Sequence, residues 1–272
     1  MSKVTIFLGD SHSAGYTIDN DGRALHWTDN NYAEIYSSIN NQDSAIYAQA
    51  GGCNRKFPVW LSCMLDRYDV NKIFIQSTHW NRYLVANDPN LDLGESYKVD
   101  AFLERNEDSA NGLVHRYTDK RYAGNRYEAL MGQFEEYWDK YKGFKGSINN
   151  PQGEFDILEN QYRYTKLWHE ALTHLQLRDY IADMTVIDHM VRNTDIPVYV
   201  WTINNRIHLP KNTDLYRGFD NVRFIYTSAE DFLFERHRMK ISKMLVADNE
   251  HYNYDVHTAI AEKYLPYIEK NY

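Results

Sequence analysis

The block Gly9-Asp10-Ser11-His12-Ser13-Ala14-Gly15-Tyr16 places a hydroxyl directly behind an apolar run. A serine at the carboxyl end of a strand exposes its Oγ, and its own N–H near a following helix N-terminus favours a developing oxyanion. Asp and Ser are also preferred helix N-caps, so the block by itself supports a cap equally well. Near the other end of the chain, Asp248-Asn249-Glu250-His251 puts a carboxylate and an imidazole three residues apart. On one short loop the carboxylate can orient the imidazole and stabilise its cation. His251 can then take a proton from Ser11 as a general base. Taken alone, the same four residues are also an ordinary polar loop ahead of an amphipathic helix.

These residues need elements to position them. Residues 3–8 are β-branched and aromatic, read as a buried strand, and end at Gly9. Further strands are expected at Ser44–Ala48, Lys72–Gln76, Ile196–Trp201 and Val222–Tyr226. Tyr32, Ile35, Tyr36 and Ile39 share one helical face. Leu177, Tyr180, Met184, Ile187 and Val191 form a second stripe, and His257, Ile260, Ala261, Tyr264, Leu265 and Ile268 a third. Strands alternating with helices imply a parallel sheet covered on both faces, with its site at the carboxyl ends of the strands. The stretch from about 84 to 160 breaks this alternation. It is polar, Tyr-rich and punctuated by glycine, with no convincing strand. It reads as an insertion, helical near Tyr127–Tyr141 and looped near Gly143–Gly153, packed over one sheet edge or the mouth of the site.

The whole chain of 272 residues carries 30 Lys plus Arg against 38 Asp plus Glu, a net charge of −8. That balance argues against nucleic-acid or anionic-membrane binding through net charge. The 43% hydrophobic content suits a folded core, and 23 tyrosines supply rings with polar tips. Tyrosine and tryptophan in the insertion could stack on sugar, or could simply be half-buried packing residues. Cys53 and Cys63 are not a C-x-x-C pair and are too few for a disulfide framework, so two reduced thiols are expected. Val4–Leu8 is far too short for a signal or membrane segment, and the expectation is a soluble, cytoplasmic protein.

A glycine-flanked serine behind the first strand, paired with D-x-x-H before the last helix, resembles the SGNH/GDSL hydrolase family. The resemblance rests on Gly9-Asp10-Ser11 at one end, and on Asp248, His251, His257 and Ala261 at the other. It spans about 1–83 and 160–272 and skips the insertion. It implies a flavodoxin-like three-layer α/β/α sandwich, a single domain over 1–272. In it Ser11 would be the nucleophile, His251 the base and Asp248 the orienting acid. The family's second block supplies an oxyanion-hole glycine. Ala48-Gln49-Ala50-Gly51-Gly52 is similar to that block, with Gly51 the preferred match and Gly52 the alternative register. A glycine suits a place where backbone must come close to a substrate oxygen.

The third block departs from the family's G-x-N-D. Here the sequence is Ser77-Thr78-His79-Trp80-Asn81-Arg82. A strict alignment puts His79 where the asparagine belongs. Asn81 could reach the hole from a longer loop, and His79 or Arg82 could donate instead. His257, opening the last helix, reads as structural. His189, His208 and His237 read as ordinary surface or core residues.

The resemblance implies an ester hydrolase or acyl transferase that takes a small acyl ester, such as an O-acetyl group on a carbohydrate, without a metal or organic cofactor. Two other readings remain. The altered third block and the long insertion fit a non-catalytic binding or structural protein on the same fold. Asp10-x-His12 resembles the opening ligand pair of metallophosphoesterases, in which a carboxylate and an imidazole converge on one ion. That class also needs GD-x-x-D and GNH blocks, which the interior of the chain lacks.

Overall fold

Val4–Gly9 forms β1, and every residue of it is buried. The computed structural model describes residues 3–15, 31–48, 54–78, 177–204, 209, 218–240 and 251–272, and the backbone of strands at 17–18, 24–25, 102–109 and 112–119. After β1 come a two-strand ribbon, β2 (Thr17–Ile18) and β3 (Ala24–Leu25), then α1 (Tyr32–Asn40) and β4 (Asp43–Ala48). A 3-10 turn at Asn54–Lys56 leads into α2 (Phe57–Arg67) and β5 (Val70–Gln76). Next are β6 (Phe102–Ser109) and β7 (Gly112–Asp119), then α3, described over 177–191. The chain continues through β8 (Val198–Trp201), β9 (Val222–Phe224), α4 (Ala229–His237), α5 (Tyr254–Ala259), a π-helical turn (Ile260–Tyr264) and α6 (Leu265–Asn271).

Five of these strands, in the order β4-β1-β5-β8-β9, form a parallel core sheet, and β7 adds a sixth parallel strand beside β4. The order reverses at β1, the switch point of a flavodoxin-like sheet, where a crevice opens at the carboxyl ends of the strands. Side chains alternate between two cores, as the pleat requires. Ile6, Leu8, Ala45, Tyr47, Ile73, Ile75, Val198 and Val200 face α2 and α3. Phe7, Ile46, Phe74, Tyr199 and Trp201 face α1, α4 and the C-terminal helices. The protein is thus an α/β chain folded as a flavodoxin-like three-layer α/β/α sandwich.

The helical stripes match their faces except at Ile39, with Leu177 and Ile35 half-buried. Tyr180, Met184, Ile187 and Val191 are buried, as are all six positions of the C-terminal stripe. In α1, Tyr32 and Tyr36 are buried, but Ile39 is 54% exposed. The buried face of that helix turns toward Ala33 and Ser37 instead. Pro266 explains the π turn in the last helix. Proline has no N–H for the carbonyl four residues back, and the preceding turn widens so that the Leu265 N–H bonds the Ile260 oxygen.

The insertion contains strands that the sequence reading did not give. β6 and β7 pair antiparallel from Phe102↔Asp119 to Ser109↔Gly112, and β7 runs parallel to β4. The hairpin therefore extends the sheet by two strands at one edge. Its sequence, FLERNEDS and GLVHRYTD, is too polar to read as a buried strand. The expected helix near Tyr127–Tyr141 and the loop near Gly143–Gly153 lie outside the described residues. Cys63 is a free thiol; Cys53 is also outside them. Among the described residues no helix is long and apolar enough to cross a membrane.

Asp188 ties α3 to the start of β9. Fully buried, its Oδ1 accepts the backbone N–H groups of Asp220, Asn221 and Val222 at 3.0, 2.9 and 3.2 Å. Its Oδ2 meets Arg192 at 3.2 Å. Removing the carboxylate leaves several donors without a partner, so Asp188→Ala should cost about 3 kcal/mol. Asp188→Asn retains an acceptor and should cost less. The urea unfolding midpoints of the two variants check this order.

Candidate active site

The turn after β1 is shaped by what lies beneath it. Ala14 N–H bonds the Asp10 carbonyl at 3.1 Å, Gly15 N–H bonds the His12 carbonyl at 3.2 Å, and Gly15 has φ 64°. The turn therefore closes at a left-handed glycine. Sequence reasoning expected a helix N-terminus directly behind Ser11. Instead the β2–β3 ribbon follows, and α1 begins only at Tyr32. Among the described residues no helix starts directly behind Ser11. A β-carbon added to Gly9 would lie 1.8 Å from Ser13 Oγ, so this glycine is required by the close approach of the turn.

Ser11 Oγ and His251 Nε2 lie 2.9 Å apart across 240 residues of chain. This is the distance a nucleophile and its general base need. His251 reaches the turn from just ahead of α5. There Tyr252 is buried in the core, and the Asn253 side chain caps the helix by accepting the Val256 N–H at 3.2 Å. The His12 ring packs against both His251 and Tyr252, with centroids 4.9 and 5.4 Å away. Ser11 and His251 are therefore brought together. Asp248, Gly51, Gly52, His79, Asn81 and Arg82 lie outside the described residues.

The Asp10 and His12 side chains take different directions. Asp10 Oδ1 accepts the His12 N–H at 3.1 Å and Gln76 Nε2 at 2.8 Å, inside the protein. His12 lies on the imidazole and phenol rings of the C-terminal segment. Among the described residues no group of three His, Cys, Asp or Glu side chains could hold an ion.

Three groups that the sequence reading passed over build the walls of the site. Gln76, fully buried at the end of β5, accepts from Ser13 Oγ at 2.7 Å as well as donating to Asp10. Tyr32 OH lies 2.5 Å from Ser13 Oγ. Asn54 holds the residue ahead of His79: its Oδ1 accepts the Thr78 N–H at 2.9 Å and its Nδ2 donates to the Thr78 carbonyl at 3.0 Å. A side-chain amide here takes the place of a neighbouring strand. A polar residue at a strand end or loop start gave a weak sequence signal for each.

His257 is structural, as read. Its Nδ1 accepts the Tyr32 N–H at 3.3 Å, and its ring stacks on Tyr32 at 6.0 Å. It thus satisfies a free N–H in the first turn of α1. Burial, with His12 and His251 nearby, pushes its imidazole down to about 3. In the unfolded chain the same group takes a proton near 6.5. Between these values the unfolded state binds the extra proton, so this contribution to stability is present above 6.5 and is lost as pH falls toward 3. The urea midpoint should therefore fall on acidification through this window, and His257→Gln should flatten that dependence. Gly9→Ala forces Ser13 out of place. We expect it to cost about 2 kcal/mol, typical of overpacking, and to slow any reaction of Ser11 with a serine-directed probe.

No protein-family model and no curated protein sequence matches this chain. Among solved structures it is similar to the psychrotrophic esterase EstA from Pseudoalteromonas sp., in a structure inhibited by monoethylphosphonate. The identity is 11% and the TM-score 0.42, over 98% of this chain and 97% of that one. At that level the likeness assigns neither fold nor activity. The fold class follows from the strand order and the two cores described above.

Proposed function

We propose that this chain is a serine ester hydrolase of the SGNH/GDSL type. The observation that carries the reading is the 2.9 Å contact between Ser11 Oγ and His251 Nε2 at the carboxyl edge of β1. In this mechanism Ser11 Oγ attacks the ester carbonyl carbon while its proton passes to His251 Nε2. Collapse of the tetrahedral intermediate breaks the bond to the alcohol oxygen, which leaves with that proton. Water then attacks the acyl-serine, giving its proton to His251, and Ser11 recovers a proton as the acid departs. Asp248 is the proposed orienter of the imidazole from its Nδ1 side.

The oxyanion is assigned to the Ser11 N–H, to Gly51 or Gly52 N–H, and to a donor from His79, Asn81 or Arg82. Asn54 supports the last assignment, because it fixes Thr78 immediately ahead of that group. The proposed substrate is a small acyl ester, with an O-acetylated carbohydrate the preferred class. Tyr and Trp of the 84–160 insertion are its proposed stacking surface, and a cytoplasmic site of action is part of the same reading. No cofactor is invoked.

The test is turnover of short-chain aryl esters together with labelling by a fluorophosphonate. Ser11→Ala and His251→Ala should each lower kcat by about six orders of magnitude. The wild type should gain one covalent adduct, on Ser11. Full activity in Ser11→Ala overturns Ser11 as the nucleophile; no adduct and no turnover with the folded wild type overturn the reading in favour of a binding protein on the same fold.

A further inference from the structure

Residues 10 and 13, on either side of Ser11, are held by one side chain. Gln76 is fully buried at the end of β5, directly beside the end of β1. Its Nε2 donates to Asp10 Oδ1 at 2.8 Å, and its Oε1 accepts from Ser13 Oγ at 2.7 Å. A serine hydroxyl has one proton. With that proton on Gln76, the 2.5 Å contact between Ser13 Oγ and Tyr32 OH has Tyr32 as donor. Burial raises the Tyr32 phenol far above its usual range, so it keeps the proton this requires. The donors then run one way, from Tyr32 to Ser13 to Gln76 to Asp10. The His12 N–H adds a second donor to the same Asp10 oxygen at 3.1 Å.

A buried carboxamide is costly unless both of its ends are matched. An apolar residue at the end of β5 would extend the core without that requirement. The matched ends have a specific consequence, because they fix the backbone one residue before and two residues after Ser11. Gly9 completes the arrangement by letting Ser13 come close enough to reach Gln76.

We propose that Gln76 is a positioning residue for the Ser11 nucleophile, clamping the turn through Asp10 and Ser13 so that Oγ faces His251. The inference rests on the reading of Ser11 as a nucleophile. Gln76 touches neither Ser11 Oγ nor His251 in this arrangement and acts through the turn.

The clamp has a signature that a merely structural role lacks. A protonated carboxyl at position 76 can reproduce both links, donating to Asp10 and accepting from Ser13. An ionised one faces the Asp10 carboxylate and breaks the first link. Among the described residues the titratable groups around this position are Asp10 and His12 on the turn, Tyr32 on α1 and His257 on α5. Tyr32 stays protonated and His257 neutral, so a carboxyl at 76 shares its proton with Asp10.

The experiment follows the rate of fluorophosphonate labelling at Ser11 across pH, by intact mass, with thermal unfolding of each variant as the fold control. Gln76→Glu should label at close to the wild-type rate near about pH 6 and lose about tenfold or more by about pH 9, a new alkaline limb set by the shared proton. Gln76→Met fills the space without either link. It should lose about 100-fold in kcat with little change in KM, the cost of a misplaced nucleophile. A Gln76→Glu profile parallel to wild type, or no labelling of the folded variant at any pH, overturns the inference. Should Gln76→Glu fail to fold, Gln76→Met decides, and a wild-type kcat overturns the inference. Absence of an adduct on the wild type is a different result: it removes the nucleophile itself.

Discussion

The turn that carries Ser11 is pressed so closely onto the end of the sheet that residue 9 has no room for a side chain. Ser13 Oγ occupies the space a β-carbon would need. That contact makes the hydroxyl of Ser13 a buried group that must be satisfied, and Gln76 and Tyr32 satisfy it. Gln76 in turn needs an acceptor, which Asp10 supplies. The polar network follows from one steric fact, the close approach of a turn to a strand. Because each group is buried, no member can exchange its partner for bulk water.

Tyr32 joins this network to the rest of the fold. Its hydroxyl meets Ser13, its backbone N–H is accepted by His257, and its ring packs edge-on against Phe7 and Trp201. A single residue at the start of α1 thus touches the turn that carries Ser11, the central strand β1, β8 and the C-terminal helix. The same helix delivers His251. Its start is fixed by the Asn253 cap, and its apolar stripe is buried along its length despite the π turn ahead of Pro266. The 2.9 Å contact between Ser11 and His251 is therefore the meeting point of two independently anchored segments.

The sheet order explains why this edge holds the site. The crossover from β1 to β4 carries α1 on one face and that from β4 to β5 carries α2 on the other. In a sheet of this order the carboxyl ends of β1, β4 and β5 are where a crevice forms. Asn54 joins the start of α2 to the end of β5, and Gln76 joins the end of β5 to the turn after β1, segments that are distant in sequence. Polar residues at strand ends are thus placed where backbone groups would otherwise lack partners, and they fix the loop positions that any chemistry at this edge would use.

The sequence by itself determined the pieces whose signal is local. The strands at β1, β4, β5, β8 and β9 were legible because a strand buried on both faces reads as a short apolar run. The stripes of α3 and the C-terminal helices were legible from their spacing. Ser11 and His251 were legible as a chemical pair, because a serine behind a strand and a D-x-x-H ahead of a helix are recognisable at each end of the chain. Tertiary structure decided what depends on neighbours from elsewhere in the chain. The β6–β7 hairpin has too polar a sequence to announce itself, and it is a strand pair because β4 offers β7 an open edge. Ile39 has the right spacing for the core but lies on the wrong side of α1, since the packing of Ala33 and Ser37 sets the helix rotation. Gln76, Ser13 and Asn54 carry no motif. Their roles come from unpaired groups that the fold brings beside them, and a polar side chain in a linear sequence does not say which buried donor or acceptor it will meet.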